Sequence, residues 1–392
     1  MLGYLVPEFP TQTHAFFWRE MQALEAGGLE VSLISTRRPP EDACPHDFAD
    51  AARARTHYVF PPSPGPVLAV LATRPLRVLR GLAYAFGLGE RGLMGRLRVA
   101  AMLLPAADLL RHCRARGVDH VHFHSCADSA HIGALARILG GPAYSLTLHG
   151  DLPVYGTDHA AKMARARAVT AVTRPLADQI RAVHPDRDVP VVWMGVDTDR
   201  FRPAPSAGGA DGGPLHVVTI ARLNPTKGHV HFLEAMARLV ADGVDIRYTI
   251  AGEGPHRASI EADIARLGLS ERVEMAGSIG EDQVIGLLAR ADAFALTSFG
   301  QGEAAPVSVM EAMAAGLAVI CSRIGGTPDM ITDGVDGLLT GQSDVAAIAA
   351  ALRRLTDPEQ RRRLADAARQ TALTRFDYRQ QAMRLREAVL GK

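Results

Sequence analysis

The chain has 392 residues, and its 43 lysines and arginines against 42 aspartates and glutamates leave a formal net charge of +1. That balance excludes the cationic background of a dedicated nucleic-acid binder and the high net charge of a disordered chain. Hydrophobic residues make up 47% of the sequence, no apolar run reaches the ~18 residues of a membrane-spanning helix, and the length suggests two domains.

The opening Leu2–Val6 predicts a short buried strand ended by Pro7 and Pro10. A helix is expected from about Thr13, whose hydroxyl would cap free N–H groups, through Trp18, Met21 and Leu24 to Gly27-Gly28. Met1–Glu8 has no cationic segment and meets an acid too soon for a signal peptide. Strands at 30–34, 118–123, 143–148 and 169–172 follow with helical segments between them. Arg74 to Arg116 holds nine arginines against Glu90 and Asp108, alternating with Leu76, Val78, Leu79, Leu82, Leu93, Met94, Leu97 and Val99. The stretch suggests a basic amphipathic helix, either an ordinary surface helix or a face that meets an anionic lipid or acceptor.

Residues 203–214 are the most linker-like stretch of the chain. Beyond them the alternation restarts, with strands at 215–220, 245–251, 273–276, 293–297 and 318–321. Helices are expected at 230–242, 256–267, 282–290 and 306–315, and a last one at 377–390. Such alternation is the mark of parallel sheets covered by helices. The expected organisation is therefore α/β: an acceptor-side doubly wound domain over 1–202, a linker over 203–214 and a second such domain over 215–374. The last helix, within 375–392, would cross back to the first domain. Ligands of such folds bind outside the carboxyl ends of the strands. Cys44, Cys113, Cys126 and Cys321 show neither metal-type spacing nor a disulfide pattern, which fits a reducing cytosol.

Two segments carry chemistry. In Thr219–Gly228, Arg222 and Lys227 lie on the loop after a buried strand, where a phosphate or diphosphate could sit between them, or where they are simply solvated. Lys227 is one of only three lysines, with Lys162 and Lys392, among 40 arginines, which suggests a wanted ammonium. In Gly300–Gly316, Pro306 suits the first turn of a helix and Gly316 the residue past its last. Glu303 would stand at the mouth of that helix and Glu311 inside it. The N–H groups of Ala304, Ala305 and Val307 would be free for an oxygen-rich ligand. Each glutamate can grip vicinal hydroxyls, or can merely complement the helix dipole and water. His120, His122 and His124 share one face of a strand with no convincing fourth ligand, so no metal is expected. His149, at a strand end, is either a satisfied core group or faces a crevice.

These stretches resemble glycosyltransferase family four, in its exopolysaccharide or lipopolysaccharide branch. The matching motifs are 221–228, 251–255, the pair Glu303 and Glu311, 311–319, 325–331 and 333–339. In the first half Pro7–Glu20, Asp119–His124 and Ser145–Asp151 look similar. The resemblance implies the GT-B fold, two Rossmann-like domains facing a cleft, and retaining, metal-independent transfer from a nucleoside-diphosphate sugar to a hydroxyl acceptor. Arg222 and Lys227 would neutralise the leaving diphosphate, Glu303 would hold the donor sugar, Glu311 the ribose, and His149 the transferred sugar. Ile279 lies in the 277–280 segment expected near the base. Thr13 ends the loop that would approach phosphate or acceptor, and Ala304 to Val307 complete the donor site. Two departures stand out: the loop after the first strand has no glycine, and Ala304 replaces the usual glycine. No cofactor is implied, since Asp197-Thr-Asp199 sits at the domain boundary rather than in a metal-binding loop. The implied partners are the sugar nucleotide and a sugar or lipid-linked acceptor, with no nucleic acid. The expected location is the cytoplasm, with residues 74–116 against the inner membrane face. A GT-B epimerase or a non-catalytic nucleotide-sugar binder are the alternatives.

Overall fold

The computed structural model describes residues 1–204, 213–300 and 303–391. The chain divides into two compact units, Met1–Trp193 with Gln381–Lys392, and Met194–Gln380. Most of the 203–214 segment expected as a linker lies outside the described residues, and the units part at Trp193 and Met194.

The first unit is built on a six-stranded parallel sheet. Its strands are β1 (Leu2–Leu5), β2 (Val31–Arg37), β3 (His57–Phe60), β4 (His120–Phe123), β5 (Ala143–Leu148) and β6 (Ala168–Ala171), in the order β3-β2-β1-β4-β5-β6. The second unit repeats the plan with β7 (Leu215–Ile220), β8 (Ile246–Ala251), β9 (Val273–Gly277), β10 (Ala293–Leu296), β11 (Ala318–Ser322) and β12 (Leu338–Thr340), in the order β12-β11-β10-β7-β8-β9. Because every strand pair is parallel, all carboxyl ends of a sheet lie along one edge, and the order reverses beside β1 in one sheet and β7 in the other.

Both sheets are covered on two faces, so β1, β4, β10 and β11 are buried from end to end where an antiparallel strand would alternate. In β1, Leu2 to Leu5 are all buried, as are Ala293 to Leu296 in β10. The core of the second unit packs Phe232, Leu233 and Met236 of the helix His229–Ala241 against Tyr248, Ile250 and Ile320 and against Ile348, Leu352 and Leu355 of the helix Val345–Leu355. At about 1.5–3 kcal/mol for each fully buried side chain, this apolar packing is the main favourable term of the fold.

Two sequence expectations are corrected. Thr13 does not cap the first helix: that helix spans Ala15–Ala26, its N-cap is His14 with no side-chain cap bond, and Thr13 is exposed. The basic stretch is three helices rather than one, Pro75–Phe86, Leu93–Ala101 and Leu103–Arg116, and the third is largely buried. Several of its arginines are engaged locally: Arg91 pairs with Asp158 at 2.7 Å, Arg98 with Asp128 at 2.8 Å and Arg111 with Asp108 at 3.0 Å. The last helix, Tyr378–Leu390, belongs to the first unit from Gln381 on. There the Gln381 side chain accepts from the Trp193 amide at 3.1 Å, and Leu385 and Val389 pack on Val192.

Candidate active site

Residues after separate strands lie along the carboxyl edge of the second sheet. The expected Arg222 follows β7 and the expected Ile279 follows β9, while Ser298 follows β10, and Gly325 and Gly326 follow β11. A 3₁₀ turn over Pro225–Lys227 leads through Gly228 into the helix His229–Ala241. The turn brings the Lys227 ammonium onto Glu303, which it pairs with directly. The Glu303 carboxylate, one-tenth exposed, also accepts from the Ser298 hydroxyl at 2.7 Å. Glu303 therefore accepts from two donors. Arg222, by contrast, is exposed, and its guanidinium has no partner among the described residues.

Two glycines make this arrangement possible. Gly228 has φ +69°, and a Cβ there would lie 2.0 Å from the Thr297 carbonyl oxygen. Gly325 has φ +52°, and a Cβ would come within 1.6 Å of the Glu303 carbonyl oxygen. The backbone of 303–305 thus rests on the turn after β11, where the Gly326 amide donates to the Ala304 carbonyl at 2.6 Å.

The helix Val307–Ala314 starts one residue later than expected. Pro306 is its N-cap, in extended conformation with φ −67° and ψ 115°. Ala304, Ala305 and Pro306 are buried, Val307 is half-buried, and Glu311 is half-buried on the fifth helical residue. Ile279 is half-buried just before Gly280, the N-cap of the helix Glu281–Leu288. Gln301 and Gly302 of the same motif lie outside the described residues.

The other expected residues lie on the first unit. The loop after β1, which lacks a glycine, places Glu8 at φ +52°, so a glutamate takes the left-handed conformation that glycine adopts most easily. The Glu8 and Phe9 amides donate to Thr36 Oγ1 at 3.2 Å and Ser35 Oγ at 2.9 Å, bonds that hold the loop in that conformation. His149 follows β5, and its side chain is half-buried. Its backbone amide donates to the Tyr155 hydroxyl at 2.7 Å, and Tyr155 is held in turn by the buried Lys162, whose ammonium donates to the Tyr155 carbonyl at 2.8 Å. The His149 ring turns inward: Nε2 lies 3.1 Å from His124 Nδ1. Burial and the neighbouring His14 push the His149 imidazole down to about 3, so it works as a neutral ring.

The row of histidines on β4 is a polar ladder inside the sheet. His120 Nε2 and His122 Nδ1 reach Ser145 Oγ at 2.8 and 2.7 Å, and His122 Nε2 reaches Thr147 Oγ1 at 2.9 Å. Among the described residues no group of three or more His, Cys, Asp or Glu side chains is arranged to hold a metal ion. Asp197 caps a turn by accepting from the Asp199 and Arg200 amides at 3.1 and 3.2 Å, and Asp199 pairs with Arg379 at 2.9 Å.

One participant escaped the sequence reading: Ser298 gave no signal beyond its place after a buried strand.

The family model described as Glycosyl transferases group 1 matches residues 202–371, and that described as Glycosyltransferase Family 4 matches residues 16–200. A GDP-mannose-dependent alpha-(1-6)-phosphatidylinositol monomannoside mannosyltransferase of Mycolicibacterium smegmatis is 30% identical over 295 residues, covering 70% of this chain and 77% of that protein. The chain belongs to glycosyltransferase family four. The amylovoran biosynthesis glycosyltransferase AmsK of Erwinia amylovora is 28% identical over 383 residues, 91% of each chain. Among solved structures, HepE of Anabaena, in complex with UDP, superposes with a TM-score of 0.75 at 16% identity over the whole of both chains. That likeness agrees with two Rossmann-like units of the GT-B fold. The protein is a glycosyltransferase, and the epimerase and sensor readings are set aside.

Proposed function

We propose that this family-four enzyme moves a hexosyl group, with retention, from a nucleoside-diphosphate sugar to a hydroxyl of a saccharide acceptor in cell-surface polysaccharide assembly. The observation that carries this reading is the Lys227–Glu303 pair on the carboxyl edge, together with Arg222, which follows β7 and has no partner among the described residues. Bond cleavage at the sugar leaves negative charge on the diphosphate, and preorganised cations there stabilise it without reorganisation. Arg222 is free to bind the diphosphate. Lys227 would share its ammonium between phosphate oxygen and Glu303, which in turn presents a carboxylate to the sugar hydroxyls. Glu311 is assigned to the ribose, Ile279 to the base, the amides of Ala304, Ala305 and Val307 to donor oxygens, and His149 and Thr13 to the sugar and acceptor side. The relative AmsK, an amylovoran biosynthesis glycosyltransferase, supports a place in polysaccharide assembly.

Thermal shift against UDP, GDP and ADP tests the donor, because a ligand that binds only the folded state raises its apparent stability. One of the three should raise the melting temperature in proportion to the logarithm of its concentration, and EDTA should leave both that shift and turnover unchanged. No shift with any nucleotide, or turnover lost to EDTA, contradicts the reading.

We further propose that residues 75–101 dock on an anionic bilayer. No described helix is long and apolar enough to cross a membrane. The helices Pro75–Phe86 and Leu93–Ala101 instead expose Leu76 (71%), Leu79 (60%), Leu93 (66%) and Met94 (77%), with Arg80 beside them. Apolar side chains among arginines suit the boundary between acyl chains and anionic headgroups. Leu76→Glu combined with Met94→Glu should abolish co-sedimentation with phosphatidylglycerol vesicles while turnover on a water-soluble acceptor persists. Equal sedimentation of both proteins refutes the docking.

A further inference from the structure

On the second unit the loop after β8 lies directly against the stretch that carries Arg222. The parallel pairing of β7 with β8 continues past Ile220 and Ala251. Beyond them the Ala221 amide donates to the Ala251 carbonyl at 3.0 Å, the Leu223 amide to the Glu253 carbonyl at 2.9 Å and the His256 amide to the Leu223 carbonyl at 3.1 Å. Leu223 is fully buried in the apolar core of the unit, whereas Arg222, between it and Ala221, is exposed. Successive side chains along such a ladder point to opposite faces. A backbone tied down at 221 and 223, with Leu223 turned inward, therefore turns Arg222 outward.

Two glycines allow the approach. A Cβ on Gly252 would lie 1.9 Å from the Ala221 carbonyl oxygen, and one on Gly254 would lie 2.2 Å from the Leu223 carbonyl oxygen and 2.9 Å from the Leu223 nitrogen. The atoms met are backbone, which cannot swing aside as the end of a flexible side chain can, and they belong to the residues on either side of Arg222. Gly252 also has φ +143°, while Gly254 lies outside the left-handed region, so only the lack of a side chain is required of Gly254. The loop is held from behind as well. The Gly252 amide donates to the Gly277 carbonyl at the end of β9 at 2.7 Å, and the Arg257 amide, opening the helix Arg257–Arg266, donates to the Gly254 carbonyl at 3.2 Å. Arg257 then pairs with Glu253 at 2.6 Å and with Glu261 at 2.8 Å. With its back held by β9 and this helix, the loop passes the displacement of an added methyl on to 221–223.

We infer that Gly252 and Gly254 are positioning residues for Arg222: the bare backbone of the 252–256 loop is a shelf that sets where the guanidinium stands when a diphosphate is bound. This rests on the reading of Arg222 as the diphosphate cation. Arg222 has no side-chain partner among the described residues to aim it, so its aim comes from the backbone beneath it. A cation stabilises developing charge best when it is already in place, and an error near 1 Å in such a group costs on the order of 10² in rate.

Gly254→Ala tests the shelf in the full chain, because close approach alone is altered there. Its kcat should fall about 10²-fold. The thermal shift given by whichever of UDP, GDP and ADP stabilises the wild type should shrink, as it should in Arg222→Ala. The double variant Arg222→Ala with Gly254→Ala should turn over as Arg222→Ala does alone, since the shelf then has nothing to aim. Gly243→Ala, at φ +86° with nothing within 4 Å of the added Cβ, controls for lost stability and should keep both turnover and nucleotide shift. Native kcat and native shift in Gly254→Ala, or losses that multiply in the double variant, overturn the inference. Gly252→Ala serves in the same way if Gly254→Ala does not fold. If neither folds, amide hydrogen exchange of the wild type decides: Leu223 and His256 should exchange as slowly as β8, and exchange at the rate of an exposed loop overturns the shelf. Native turnover and native nucleotide shift in Arg222→Ala remove the diphosphate reading instead. The shelf is then judged on exchange, with the Leu223 amide faster in Gly254→Ala than in the wild type, and equal rates overturning it.

Discussion

Arg222→Ala should lower kcat by about 10²–10³ while leaving the melting temperature of the unliganded enzyme unchanged. The guanidinium is exposed and without a partner among the described residues, so its loss opens no cavity and strands no charge. Its contribution would come only with a diphosphate present, and the loss should therefore appear in turnover and in the nucleotide-induced thermal shift together. Lys227→Ala should cost at least as much turnover and also destabilise the unliganded chain. Removing the ammonium leaves the Glu303 carboxylate, one-tenth exposed, with the Ser298 hydroxyl at 2.7 Å as its remaining partner. An uncompensated carboxylate in a poorly hydrated place is costlier than the pair was favourable. Lys227→Arg should not restore activity, because a planar fork does not replace a compact ammonium at this spot. Steady-state kinetics with calorimetric melting decides the matter. An Arg222→Ala enzyme with native turnover and native nucleotide shifts would remove the diphosphate assignment.

Gly325→Ala should inactivate the enzyme, although Gly325 itself has no assigned contact with the substrate. The added Cβ would sit 1.6 Å from the Glu303 carbonyl oxygen, a distance at which backbone must move. The φ of +52° adds about 1–2 kcal/mol for any residue with a Cβ. The displaced segment carries Glu303, whose carboxylate has to stay on Lys227 and Ser298, and an error near 1 Å in such a group costs on the order of 10² in rate. Gly334→Ala is the control. Its φ is +75°, yet a Cβ there meets nothing within 4 Å, so it should lose stability by the conformational term alone and keep its turnover. Equal turnover in the two variants would show that close approach at Gly325 is unimportant for the site.

Much of the candidate site is legible in the sequence. A buried run ending in Ala221-Arg222, a lysine where the chain otherwise uses arginine, and a proline and glycine bracketing the 306–316 helix are local signals, and each residue stands at a strand or helix end. The edge strands β3 and β12 were not legible. β3 (His57–Phe60) buries only Val59 and so lacks the continuous buried run that marks β1 and β10, and β12 spans only Leu338–Thr340; each pairs with a neighbouring strand along one side. Thr13 misled for a related reason: a hydroxyl next to an apolar stripe suits a cap, but tertiary bonds to Ser35 and Thr36 set the path of the preceding loop, and the helix starts two residues later.

The order of apolar runs, turn residues and glycines in the chain determined the α/β class, the two-unit plan and the identity of the cations, because these depend on neighbours a few positions apart. The tertiary structure decided the pairings. Lys227 meets Glu303 across 76 positions, and Glu20 reaches Tyr4 of β1. Which acid a buried cation or hydroxyl finds depends on strand order and on the turn each strand feeds. Strand order is a property of the whole sheet, written in no single stretch of sequence.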